Sequence, residues 1–263
     1  MTFVPVIPTG GLLGFQFLER TSPVQKAAHD ASPRLQRDLA YFQENIGAIN
    51  TAEELVSDFR LLRVALGAFG LEDDIGSKFF IQKVLEDGTL DTDALSNRLT
   101  DKRYKELAGA FGFDLGTPNT KLSSFAGDII EKFKTRSFEA SVGEINEDMR
   151  LALNAKRELA ELGGATSSEA TKWFTILGNA PLRSVFEGAF SLPSSFGSLD
   201  IDRQVDVMQE RSEALFGSAE ISRFTDDNEI DAVVERFLVM RSLSANTAAI
   251  SSSNTALVLL GAG

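Results

Sequence analysis

The sequence contains no cysteine and only one histidine, His29. The first absence excludes disulfides, thiolate metal sites, iron–sulfur clusters and cysteine nucleophiles. The second removes most zinc sites, haem ligation by two histidines and most histidine-based triads. Positive charge is also in deficit, with 26 Lys and Arg against 38 Asp and Glu and a net charge of −12. Such a chain repels phosphate backbones and argues against nucleic acid as a partner. No stretch approaches the ~18 consecutive apolar residues needed to span a bilayer, so no membrane insertion is expected. Proline is sparse, and residues 34–117, 119–180 and 194–263 hold none. An interior proline costs a helix ~3 kcal/mol, so these stretches are free to be helical.

What is present supports helices throughout. Hydrophobic residues are 43% and charged residues 24% of the chain, which is ordinary globular composition. After Ser32-Pro33, the residues Leu35, Leu39, Phe42 and Ile46 recur with helical spacing. Thr51-Ala-Glu-Glu54 is a capping box, opening a helix with Leu55, Phe59, Leu62, Leu66 and Phe69 on one face. Further patterns carry Ile75 to Leu85, Leu95 to Leu99, residues 101–111, and Leu122 to Phe133. The longest runs over 139–162 and ends at Gly163-Gly164. Ser168, Pro181, Asp200 and Asp227 or Asn228 open the remaining ones. Alternating strand patterns do not occur. The expected fold is all-α, a compact multi-helix domain of about ten helices. Phenylalanine is used twenty times, a side chain that fills a core without a polar atom to satisfy.

Three helix endings resemble one another: Ala68-Phe69-Gly70-Leu71, Ala110-Phe111-Gly112-Phe113 and Ala189-Phe190-Ser191-Leu192. Each reads as a stop in which the small residue turns left-handed and the next apolar residue folds back. Their spacing is close to one and two units of roughly 40 residues, which divergent helical repeats would produce and convergent capping chemistry would also explain.

The ends differ from the middle. Residues 1–31 read as a mobile arm, apolar but broken by Pro5, Pro8, Gly10, Gly11 and Gly14. They lack the basic start and unbroken apolar core of a secretory signal. This arm either docks on a protein surface or serves as an uncleaved export or assembly segment. Residues 32–243 form the helical domain, with a candidate sub-boundary near 114–119. Residues 244–263 read as a flexible tail of Ser, Ala, Asn and Thr ending in the apolar Ala256-Leu-Val-Leu-Leu260. That pentapeptide is either a docking hook or folds back on its own domain.

Candidate chemistry is thin. Asp226–Asp231 and Glu86–Asp93 are acidic, but neither has the glycine and closing glutamate of a calcium loop, and helix capping explains both. Lys102-Arg-Tyr-Lys105 reads as a solvated helix face, and Gly10–Gly14 lacks the Gly-Lys-Ser/Thr of a phosphate loop. His29, in a polar stretch between Pro23 and Pro33, is expected to be exposed. Glu139, Glu144, Glu147 and Asp148 are expected to share a helix, and need a cleft to become an acid–base pair. No catalytic, cofactor-binding or metal site is assigned, and no enzyme activity is expected.

Asp58-Phe-Arg-Leu-Leu-Arg-Val-Ala-Leu-Gly-Ala-Phe-Gly-Leu-Glu-Asp-Asp74 resembles the signature of an alphaproteobacterial family, the domain of unknown function 1217. So do Asn97–Tyr104, Phe111-Gly-Phe113, Met149–Leu159, Trp173–Gly178, Pro181-Leu-Arg183 and Leu192-Pro193, so that the resemblance covers residues 35–243. Members of that family tend to be encoded among flagellar genes. The resemblance therefore implies a non-enzymatic accessory protein of the flagellum, acting in assembly or regulation through contacts with flagellar or export-apparatus proteins. It would be cytoplasmic, or exported to the flagellum without a cleaved signal peptide. The alternative is a helical small-molecule-binding module unrelated to motility.

Overall fold

A computed structural model describes residues 3–261, with the side chains of all of these except 246 and 248–261. Among the described residues there are thirteen α-helices, five short 3-10 helices and no strand, so the fold is all-α. The chain divides into two units. One comprises the residues up to Val6 together with Glu19–Ile145, and the other Ile7–Leu18 together with Asn146 onward. The chain thus changes units at 6/7, 18/19 and 145/146.

The first helix, α1 (Gly11–Asp30), occupies most of the segment expected to be an arm. It runs through Pro23, whose ring lies on an exposed position, while Phe15 and Leu18 are buried. A proline removes a single N–H from a helix, and burial of apolar side chains on the same helix offsets that loss.

The first unit continues with α2 (Pro33–Asn45), α3 (Ala52–Ser57), α4 (Phe59–Gly67), α5 (Lys78–Asp87), α6 (Leu95–Arg98), α7 (Arg103–Phe111) and α8 (Phe125–Gly143). Leu35, Leu39, Phe42 and Ile46 are all buried, as their spacing requires. They pack in one core with Leu61, Leu62, Leu66, Phe69, Phe111, Phe125, Ile129 and Phe133. The single helix expected after Thr51 is broken in two at Asp58, whose backbone is extended (φ −91°, ψ 103°). The Asp58 carboxylate accepts from the amides of Arg60 (2.9 Å) and Leu61 (3.1 Å), capping α4. The break turns Phe59 outward, leaving it 53% exposed.

The second unit holds α9 (Glu147–Gly164), α10 (Glu169–Gly178), α11 (Ala180–Ala189), α12 (Ile201–Phe216) and α13 (Asp227–Gly261). The helix expected over 139–162 is interrupted, because α8 ends at Gly143 and Asn146 opens α9 by accepting from the Met149 amide at 3.0 Å. The core of this unit is a relay of rings. Trp173 meets Phe186 at 5.6 Å, and Phe186 meets Phe190 at 5.3 Å and Phe224 at 6.3 Å. Edge-to-face contacts of this kind add about 0.5–1.5 kcal/mol each beyond burial. The backbone of α13 continues as helix past Leu243, where a tail is expected, to Gly261. Residues 229–260 contain neither proline nor glycine to stop it. The side chains of Ala256–Leu260 lie outside the described residues.

All three related helix endings turn left-handed at the small residue, and the first and third also make the expected return hydrogen bond. Gly70, Gly112 and Ser191 have positive φ (69°, 60° and 53°). The amides of Leu71 and Leu192 reach back five residues to Leu66 (3.0 Å) and Glu187 (2.9 Å). Phe69, Phe111 and Phe190 are buried.

Candidate functional site

In the first unit, α2, α4 and α8 leave a cavity of about 290 Å³ between them. It exists because α8 presents small side chains at Ser137, Ala140 and Ser141, one helical face by their spacing, and α4 presents Gly67. Leu35, Phe3 and Phe133 supply apolar wall, while Arg34, Arg63 and Arg136 bring positive charge and Asp38, Glu72 and Glu144 negative charge. A second, open groove is lined by Arg34, Arg37, Arg60, Arg63 and Asp38. The two hollows share Arg34, Asp38 and Arg63.

The groove is braced from below. Arg63 forms an ion pair with Asp38, and Arg60 lies 3.8 Å from the same carboxylate. The Arg60 guanidinium sits over the Tyr41 ring at 3.9 Å and donates to the Arg37 carbonyl at 2.8 Å. Tyr41 in turn donates to Asp58 at 2.6 Å. Burial pushes the Asp58 carboxyl up, but the bonds from Tyr41 and the Leu61 and Arg60 amides outweigh it and hold Asp58 below the usual carboxylate range. The same hydrogen bond raises the Tyr41 hydroxyl above its ordinary value.

His29 is buried, not exposed. The continuation of α1 past Pro23 carries it inward, between the rings of Phe3 (5.3 Å) and Phe138 (5.8 Å). Its Nδ1 lies 3.1 Å from Asp30, and its Nε2 lies 3.3 Å from the Ser137 hydroxyl. This is the atom order of an acyl-transfer triad, but the surroundings do not serve that chemistry. Ser137 also donates to the Lys134 carbonyl at 3.2 Å. The amides of Ser137 and Phe138 lie mid-helix in α8 and are used by its own ladder, so they cannot form an oxyanion hole. The arrangement fixes one wall of the cavity.

The other residues weighed from sequence are dispersed. Glu139 belongs to α8, Glu144 caps it, and Glu147 and Asp148 stand in the first turn of α9, so the four do not share a helix. Arg103 and Tyr104 turn inward instead of forming a solvated face. Arg103 makes a bidentate pair with Asp101 and donates to the Gly70 carbonyl, and Tyr104 donates to Asp74 at 2.7 Å. Burial, first, and then Asp74 raise the Tyr104 hydroxyl well above its ordinary value. Asp226 accepts from the Asn228 amide at 2.9 Å, a turn-capping role. Among the described residues, no three His, Asp or Glu side chains are grouped to hold a metal ion. No helix among them is long and apolar enough to cross a membrane.

The arginine groove was not singled out from the sequence. Its signal is present as two Arg-x-x-Arg spacings, Arg34/Arg37 and Arg60/Arg63, each placing both guanidiniums on one helix face. What the sequence does not carry is that the two faces border one groove.

An all-α scaffold with a polar-rimmed cavity describes the class of protein. The chain belongs to the family described as protein of unknown function DUF1217, which matches residues 68–230. It is similar in fold to the crystal structure of protein AGR_C_984 from Agrobacterium tumefaciens, with a TM-score of 0.73 and 24% identity over 91% of this chain and 99% of that one. No curated protein matches the chain.

Proposed function

We propose that this protein is a non-enzymatic accessory component of the bacterial flagellum, acting in assembly or regulation through contacts with flagellar or export-apparatus proteins. The observation that carries this reading is membership of the DUF1217 family, whose members tend to be encoded among flagellar genes. The protein acts in the cytoplasm or is exported without a cleaved signal. The test is deletion of the gene, scored by swimming and by filament assembly. Loss of either supports the reading, and unchanged motility with normal filaments refutes it. Fractionation into cytosol, medium and purified basal bodies then locates the point of action.

A second reading is favoured by the cavity beside α8, which lies close to the lower size limit of small-molecule sites, roughly 300 Å³. On that reading the first unit is a helical ligand-binding module. A thermal-shift screen supports it by finding a small-molecule stabiliser, since a ligand that binds only the folded state raises the melting temperature.

A further inference from the structure

The arginine groove runs against the composition of the chain. Four arginines, Arg34, Arg37, Arg60 and Arg63, line one groove with a single carboxylate, Asp38, in a protein carrying net charge −12. Like charges one turn apart on a helix are mildly unfavourable, so neither pair assists its own helix. Two of the four are already held in place: Arg63 by Asp38, and Arg60 by the Tyr41 ring and the Arg37 carbonyl. The other two, Arg34 and Arg37, are exposed and their side chains make no ion pair or hydrogen bond among the described residues.

Such a donor set suits an oxyanion of more than one charge. Each guanidinium offers planar, forked N–H donors that match the oxygens of a phosphate or carboxylate. Across groove and cavity, Arg34, Arg37, Arg60, Arg63 and Arg136 stand against Asp38, Glu72 and Glu144, a positive excess that one carboxylate would not neutralise, whereas a phosphate ester brings about −1.5 to −2 at pH 7. The groove adjoins the cavity, with Arg34, Asp38 and Arg63 lining both. An anionic head in the groove therefore leaves the remainder of the molecule beside Leu35, Phe133 and Ala140.

We infer that the groove and cavity together form a binding site for a soluble phosphorylated small molecule, with its phosphate on Arg34, Arg37, Arg60 and Arg63 and a compact body in the cavity. This inference is independent of the flagellar reading, because it concerns ligand chemistry and not the cellular partner.

The test is calorimetric titration of the full chain at low salt with inorganic phosphate, inorganic pyrophosphate and phenyl phosphate. Phenyl phosphate is expected to bind about tenfold or more tightly than inorganic phosphate, because its ring is removed from water. Arg34→Ala combined with Arg37→Ala removes only exposed, unpaired groups, so the fold is retained by circular dichroism. That variant is expected to weaken all three probes by about tenfold or more. Ala140→Leu fills the cavity and is expected to abolish the advantage of phenyl phosphate while leaving inorganic phosphate unchanged. If it misfolds, the doubly substituted arginine variant still decides the matter. Absence of binding by all three probes overturns the inference, as does undiminished binding after loss of Arg34 and Arg37. Binding confined to phosphatidylcholine vesicles that contain phosphatidylglycerol also overturns it, because the groove would then be a membrane-surface contact. The motility phenotype of the deletion strain is a separate result, so either proposal fails without the other.

Discussion

Two adjacent glycines at the end of α9 test the packing of the second unit with opposite expected signs. A Cβ added to Gly163 would stand 2.6 Å from the carbonyl carbon of Phe224, 2.9 Å from its oxygen and 2.9 Å from the Thr225 nitrogen. These are backbone atoms of the 3-10 turn Ile221–Thr225, so no side-chain rotation relieves the contact. Overpacking of this kind costs about 1–3 kcal/mol, and the backbone clash places it at the upper end. Alanine recovers about 1 kcal/mol through its better helix propensity, leaving a net loss of about 2 kcal/mol for Gly163→Ala. At Gly164 an added Cβ meets nothing within 4 Å. Gly164→Ala is therefore expected to be neutral or to stabilise by up to about 1 kcal/mol. The only tryptophan, Trp173, is fully buried in the same unit and donates to the Ala219 carbonyl at 2.9 Å. Its fluorescence during urea unfolding reports the unit directly. In a thermal scan the Gly163→Ala loss corresponds to a drop of roughly 4–8 °C. A Gly163→Ala protein as stable as the parent would refute the close approach of α9 to the turn, and with it the account of this core.

Asp58→Ala removes the cap of α4 and the acceptor of the Tyr41 hydroxyl, at a cost of about 2 kcal/mol at neutral pH by urea unfolding. Folding lowers the Asp58 carboxyl, so its contribution is complete above the ordinary carboxylate range and disappears as pH falls through the lowered native value. The gap between parent and variant should accordingly narrow below about pH 4. Ser168→Ala, which removes the oxygen that accepts from the Thr171 amide at 3.2 Å, should cost about 1 kcal/mol in the same assay. Truncation after Leu243 should leave the melting temperature nearly unchanged while weakening capture of partners. A large fall would show that the final stretch of α13 contributes to the core.

Much of this protein is written locally. The spacing of Leu35, Leu39, Phe42 and Ile46 is enough to bury all four, because a helix turns the same face inward every three to four residues. The three left-handed stops at Gly70, Gly112 and Ser191 follow from short-range chemistry as well. Capping side chains at Thr51, Ser168 and Asn179 accept the amides that helix starts leave over. Each of these depends only on neighbours within a turn or two, which is why the sequence by itself determined the all-α character.

Elsewhere the outcome rests on residues far apart in the chain. Asp58 breaks an otherwise continuous apolar face, and the break is reinforced by Tyr41, seventeen positions away. Pro23 lies inside a helix on which Phe15 and Leu18 are buried, a burial that no local rule supplies. His29 is inside because Phe3 and Phe138 meet it there. The arginine groove needs two helices side by side, although each Arg-x-x-Arg pair is visible alone. Only the tertiary structure decided these, since burial and charge juxtaposition are set by the partner across the gap, and a linear pattern records one side of each contact.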